Sequence, residues 1–424
     1  MSLTFKLGPL RGDVRVAGDK SISHRALMLA AVAQGTSTLA GLNGGEDVVA
    51  TRDAVVSLGA RVRGDGETLH VTGGVLHDPV RTIDARNSGT TARLLMGLCA
   101  GQGLAARFDG DASLRRRPME RVARPLRALG ADVQTSGGRM PAAVRGICAP
   151  PGGTFALEIP SAQVKSAILL ANVNARATVR VTGDSHSRDH TERMLRRFGR
   201  QVRFDGRTIE LEPGTLVAQA VRIPGDLSGA AFFLAAAAIA PGSSLLLRDV
   251  GVNPTRTGIL DALRAMGAHI DVRNARDLDG EPVADVAIAY APLTATTLAG
   301  ELVVRAIDEI PIVAVVAAHA RGTTRIRDAA DLRGKESDRL TTMTETLRAC
   351  GVTVVEHADG LDISGGGARV PLRPLRTYGD HRVAMAVAAL AAPTGPHTID
   401  DAACIDVSFP GFIELWCAAQ AAAH

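Results

Sequence analysis

The stretch ALGADV (128–133) reads as the end of an amphipathic helix, a glycine that stops it, and a strand of alternating residues. It has four counterparts: SLGARV (57–62), RFGRQV (197–202), AMGAHI (265–270) and ACGVTV (349–354). Their glycines, at 59, 130, 199, 267 and 351, recur about every 70–80 residues. A solenoid repeat is shorter, roughly 20–50 residues. The longer period predicts a repeated α/β subdomain of several elements.

A second recurrence lies at the helix starts. Polar or glycine-rich motifs run directly into apolar helices in GDKSISHRALMLAAVA, RNSGTTARLLMGLCA, SAQVKSAILLANV, GDLSGAAFFLAAAA, IDEIPIVAVVAAHA and YGDHRVAMAVAALAA. A helix N-terminus offers free N–H groups and partial positive charge, so this layout suits anions. One such junction is ordinary capping. Six of them, most carrying a cation, point to a ligand with several negative charges.

Composition bounds the alternatives. A chain of 424 residues favours two domains, with the 46% apolar and 22% charged balance of a soluble protein. The longest apolar run, 230–241, is about half of what a bilayer needs. The start has no secretory pattern, so a cytoplasmic location is expected. Five scattered cysteines without a CxxC argue against disulfides and zinc. Net charge of +4 and 3% aromatics give little purchase for nucleic acid. Of 48 basic residues only Lys6, Lys20, Lys165 and Lys335 are lysines, and three of these fall in motifs, where a compact ammonium is called for.

The motifs themselves are charged. Gly18-Asp19-Lys20-Ser21 begins a run that continues through His24 and Arg25, but it lacks the Walker pattern, so ATP is not indicated. Asn87-Ser88-Gly89-Thr90 precedes Arg93, with Gly89 permitting close backbone approach. DASLRRRPM (111–119) sets three arginines before a proline.

GDKSxxxR, NxGTxxR and RRPM together resemble the enolpyruvyl transferases, and within them the branch acting on shikimate 3-phosphate. SAQVKSA (161–167), RDHTE (188–192), NPTRTG (253–258), KESDR (335–339) and YGDHR (378–382) agree in order and approximate spacing. SAQVKSA and RDHTE look more like the second class of that branch than the enterobacterial type. The resemblance implies a two-domain inside-out α/β barrel, each domain made of three βαβαββ units. It places residues 1–15 with 225–424 in one domain and 16–224 in the other, with crossings near 13–18 and 224–226. Helix N-termini would face a cleft that closes on substrate.

The implied reaction moves the enolpyruvyl group of phosphoenolpyruvate to the 5-hydroxyl of shikimate 3-phosphate by addition and elimination. That chemistry needs acid–base groups and a cationic cage. By resemblance Asp308 is the base, and Glu336 carries the proton at the methylene carbon with Lys20 nearby. Read without the resemblance, Asp308 is a helix N-cap and Glu336 half of a surface ion pair. Phosphoenolpyruvate is expected at Lys20, Gly89, Arg117, Gln163, Arg339 and Arg382. Shikimate 3-phosphate is expected at Lys20, Ser21, Arg25, Ser161, Ala162, Gln163, Arg188, Asp308 and Lys335, with Ser161 and Arg188 on its phosphate. Arg93 and Lys165 either join them or pair internally. No metal or organic cofactor is implied, glyphosate is an expected inhibitor, and a monomer is expected. Val407 stands where some members carry a lysine, and Leu94 replaces a proline of the enterobacterial type. The sister enzyme acting on a UDP-sugar usually has a reactive cysteine in its mobile loop; 111–119 has none.

Overall fold

The five helix-stopping glycines form five copies of one motif. Each has a positive φ: +109° at Gly59, +108° at Gly130, +93° at Gly199, +99° at Gly267 and +77° at Gly351. In each, the glycine N–H and the next N–H reach back to carbonyls of the last helical turn, as in Gly130 to Arg127 (2.9 Å) and Ala131 to Leu126 (3.2 Å). These crossed bonds satisfy carbonyls that a helix end leaves open, and the left-handed backbone favours glycine. Three copies add an arginine. Arg127, Arg196 and Arg348 each donate to the carbonyl six residues on, at Val133, Val202 and Val354. That bond ties the helix to the strand that follows.

A computed structural model describes residues 2–158, 161–183 and 187–422. The chain divides into two compact units: Met1–Ala17 with Pro224–Asp277 and Pro282–His424, and Gly18–Ile223 with Leu278–Glu281. The second unit contains three modules of one pattern, and the first unit two with a third reduced to a strand pair; the pattern is shown by strands Ile83–Asp84, Ala105–Asp109, Asp132–Ser136 and Arg139–Arg145. The first two strands are parallel, joined through helix Gly89–Gly101; the other two form a hairpin antiparallel to the second. Gly153–Ala156, Val179–Thr182, Thr208–Leu211 and Val202–Phe204 repeat this order, as do Thr297–Leu298, Thr323–Ile326, Gly360–Ser364 and Thr353–His357.

In one module of each unit the first strand comes from elsewhere in the chain. Ala220–Arg222 pairs in parallel with Gly35–Ala40, and Arg11–Val14 with Ser244–Gly251. The remaining module pairs Leu3–Phe5 with His397–Ile399.

The first helix of each module is apolar all round, which predicts burial on every side. Leu227–Ile239 is buried along all its length. Ile310–His319, His381–Thr394, Lys20–Val32, Gly89–Gly101 and Ala162–Ala171 are nearly so. Strands such as Arg139–Arg145 alternate buried and exposed residues, so each sheet keeps one face on these helices. Helices therefore occupy the interior of a unit and sheets its outside. Scarce aromatics concentrate in the first unit, where Phe233 packs in tilted and edge-on contacts with Phe409, Phe412 and Trp416. Among the described residues no helix is long and apolar enough to cross a membrane.

Close helix packing has a visible requirement. A Cβ on Gly97 would lie 2.3 Å from the Ala167 carbonyl oxygen, and one on Gly101 would lie 1.6 Å from that of Ala171. Gly101→Ala must push two buried helices apart, at an overpacking cost of about 2–3 kcal/mol. Calorimetry should show the second unit melting about 5–10 °C lower. An unchanged midpoint would mean that this approach is not a packing constraint.

Candidate active site

In the second unit the starts of three buried helices carry cations. Lys20 opens its helix with Nζ 2.7 Å from Asp47 Oδ2. Arg25, a turn further on and buried, donates to Thr191 Oγ1 (2.6 Å), the Ser21 carbonyl (2.8 Å) and Ser166 Oγ (2.8 Å). Burial is the main reason its pKa falls to about 10; Glu192 and Asp19 oppose the fall and Arg188 adds to it. Arg188 itself is half-buried.

Gly89 opens the second helix. A Cβ there would sit 2.6 Å from Arg93 Nη1 and 3.3 Å from Arg117 Nη1, so two guanidinium ends crowd its open face. Arg93 donates to Gln163 Oε1 (2.7 Å) and the Pro118 carbonyl (3.1 Å). Arg117 donates to Asn87 Oδ1 (2.6 Å). Ser161 caps the third helix, and Ala162 and Gln163 follow at its first turn. Gly89, Arg93, Arg117 and Gln163 are thus assembled by the fold from three segments of the stretch 89–163. Lys165 pairs internally, 2.8 Å from Glu192, with both side chains buried. Burial raises the Glu192 pKa, against the pull of Lys165.

The first unit has a different balance. Arg339, 2% exposed, is shared by three carboxylates. It donates from Nε to Asp380 Oδ2 (2.8 Å) and from Nη2 to Glu336 Oε2 (2.6 Å), and its Nη1 lies 3.5 Å from Asp308 Oδ1. Burial alone would lower its pKa, but Asp380, Glu336 and Asp308 outweigh burial and raise it. Burial would likewise raise the Asp380 carboxyl; Arg339 holds it below the ordinary range. Lys335 Nζ lies 3.3 Å from Asp308 and 2.8 Å from Asp331. Arg382 donates to the Asp308 carbonyl (2.9 Å) and Ser228 Oγ (2.7 Å).

Neither bland alternative describes the two acids. The N-cap position of helix Ile310–His319 is Glu309, not Asp308. The partner of Glu336 is a buried arginine rather than a surface one. The two carboxylates sit on the two Nη arms of one guanidinium, which keeps them separate.

Capping is widespread at the six junctions. Asp19, Ser88, Ser161, Asp226 and Asp380 each accept a hydrogen bond from the first turn of their helix, and only Glu309 does not. Sequence reasoning missed Asp47, Asp380, Glu309 and Ser228. Asp380 and Ser228 lie inside quoted motifs, and Glu309 directly follows Asp308, so proximity was the available signal. Asp47 had none.

The fold has solved counterparts. A solved enolpyruvyl transferase, NikO from Streptomyces tendae, shares it at a TM-score of 0.77 and 19% identity, over 98% of this chain and 97% of that one. The family model for EPSP synthase (3-phosphoshikimate 1-carboxyvinyltransferase) matches residues 5–416. A 3-phosphoshikimate 1-carboxyvinyltransferase from Gloeobacter violaceus is 51% identical over 98% of both chains. One from Thermosynechococcus vestitus is 50% identical over 96% of this chain and 94% of its own. A solved EPSP synthase from Acinetobacter baumannii superposes at a TM-score of 0.85, with 40% identity and 98% coverage of both chains. The chain belongs to the EPSP synthase family.

One buried group beside the cations titrates. His24 donates to or accepts from Thr51 Oγ1 at 2.6 Å, and its pKa lies well below the ordinary value because of burial first, then Lys20 and Arg25. An unfolded histidine titrates near about 6.5. Below that pH the unfolded chain takes up a proton that the folded one refuses, so stability is full above about 6.5 and falls as pH drops. His24→Asn should flatten this loss, read as urea midpoints between about pH 7.5 and 5. Equal slopes in variant and wild type would rule out His24 as a source.

Proposed function

We propose that this chain transfers the enolpyruvyl group of phosphoenolpyruvate to the 5-hydroxyl of shikimate 3-phosphate, releasing phosphate, as a cytoplasmic monomer on the route to aromatic amino acids. The observation that carries the reading is the full-length match to the EPSP synthase family. The charged groups support it in two ways. The helix starts of the second unit supply cations for a phosphate and a carboxylate. The first unit gathers carboxylates suited to moving protons.

Asp308 takes the proton of the 5-hydroxyl as its oxygen attacks C2 of phosphoenolpyruvate. The methylene carbon gains a proton, in a step assigned to Glu336 and Lys20, and a tetrahedral adduct forms. Loss of phosphate and of one methyl proton then restores the double bond. Lys20, Gly89, Arg117, Gln163, Arg339 and Arg382 are assigned to phosphoenolpyruvate. Lys20, Ser21, Arg25, Ser161, Ala162, Gln163, Arg188, Asp308 and Lys335 are assigned to shikimate 3-phosphate. A phosphate-release assay tests the reading: release is expected only with both substrates present, and release that needs only one of them would overturn it.

Asp308→Asn should leave shikimate 3-phosphate binding within a few-fold while lowering kcat by about 10²–10⁴, the usual weight of a general base. Retention of more than about a tenth of kcat would remove Asp308 from that role.

Gly89→Ala bears on glyphosate, which we expect to occupy the phosphoenolpyruvate site. The added methyl meets the Arg93 and Arg117 guanidinium ends before anything else in the chain. It shortens the anion site and displaces its donors, an overpacking worth about 5–150-fold in affinity. The longer inhibitor should lose more than the substrate does. Measured on wild type and variant, equal weakening of the two constants would remove the steric argument.

A further inference from the structure

The three buried helices of the first unit begin at one cluster, in which the reaction as described uses Arg382 but leaves Glu309 without a role. Glu309 is 1% exposed and lies immediately after the assigned base. Its Oε1 accepts a hydrogen bond from Ser228 Oγ and lies 3.6 Å from Arg382 Nη1 and 3.9 Å from Arg256 Nη2. Ser228 Oγ in turn accepts from Arg382 Nη2, while Arg382 Nη1 donates to the Asp308 carbonyl. Arg256 is 4% exposed, and its other carboxylate neighbour, Asp226 at 3.5 Å, caps the helix that carries Ser228. Among the described residues Glu309 Oε2 accepts no hydrogen bond.

This is an expensive arrangement. A buried carboxylate with one oxygen unpartnered is costly, and it persists where its charge is needed by neighbours. Here the neighbours are two buried guanidiniums that share one oxygen. Without the anion they would repel each other at close range in a poorly screened interior. Arg382 is the one with an assignment beyond the protein. Its orientation is fixed on one side by the Asp308 backbone and on the other by Ser228 and Glu309.

We infer that Glu309 is a positioning residue, whose charge holds Arg382 in the orientation that meets phosphoenolpyruvate and keeps Arg256 from displacing it. The inference rests on the assignment of Arg382 to that substrate. It also makes Asp308 and Glu309 work as a pair, in which one residue offers the base and the next fixes the cation beside it.

Steady-state kinetics on wild type, Glu309→Gln, Ser228→Ala and Arg382→Lys tests this. Glu309→Gln keeps the shape and the contact with Ser228 but removes the charge. KM for phosphoenolpyruvate should rise about tenfold, with KM for shikimate 3-phosphate moving less than about twofold. Glu309→Asp, which restores the charge, should recover part of the loss. Ser228→Ala leaves the charge in place and should raise the same KM by about threefold, which keeps the idea testable if the glutamine variant fails to fold. Arg382→Lys separates the levels of the argument. If it raises KM for phosphoenolpyruvate while Glu309→Gln and Ser228→Ala do not, Glu309 has no positioning role and the Arg382 assignment survives. If none of the three raises it, the assignment and the inference both fall. A rise in both KM values alike, with a lowered melting temperature and no recovery in Glu309→Asp, would mark a merely structural residue and overturn the inference.

Discussion

A helix buried on every side has only its ends free to do chemistry. Six such helices fill the interiors of the two units, and burial of Leu227–Ile239 along its whole length shows how far this goes. Their first-turn N–H groups must be satisfied. Five of the six meet that demand with a side chain of the residue just before the helix. The same constraint collects the charged residues: a lysine or arginine that follows the cap by one to six residues stands where apolar packing stops. Lys20, Arg25, Arg93 and Arg382 all owe their place to it.

Much of this was legible in the chain. The five helix-stopping glycines announced the modules because a left-handed C-terminus leaves a local signature, and all five adopt it. The six helix starts were equally local. Charge partners were another matter. Asp380 beside Arg339 and Ser228 beside Arg382 depend on which modules neighbour each other, Asp47 beside Lys20 on how two helices of one module meet, and no short-range pattern encodes either. For Asp308 and Glu336 the residues alone favoured an N-cap and a surface pair. The resemblance favoured catalytic roles instead, and the structure adds Arg339, buried between them and held by a third carboxylate, Asp380, from another segment.

The scarcity of lysine also gains a physical reading. Three of the four lysines sit in ion pairs of 2.7–2.8 Å with Asp47, Glu192 and Asp331. An ammonium presents its charge as a point and needs no planar partner. The arginines instead spread over several acceptors at once: Arg25 serves a backbone carbonyl and two hydroxyls, and Arg339 three carboxylates. Division of labour between the two cations therefore follows geometry. Lys335, beside both Asp308 and Asp331, serves two groups without a planar fork; the arginines use the fork.

The borrowed strands carry a consequence for synthesis. Residues 3–14 precede the second unit in the chain, yet Arg11–Val14 must wait for Ser244–Gly251, and Leu3–Phe5 for His397–Ile399. The second unit closes its last sheet with Ala220–Arg222, so apart from the short segment Leu278–Glu281 it is complete while most of the first unit is still unmade. Units that form in turn along a growing chain limit the exposure of unpaired edges. Here the order is inverted for one short segment: Arg11–Val14 precedes the second unit in the chain yet pairs with a strand that follows it, so it stays a free strand edge while that unit is made. The charged and glycine-containing run Arg11-Gly12-Asp13 keeps that edge soluble while it waits.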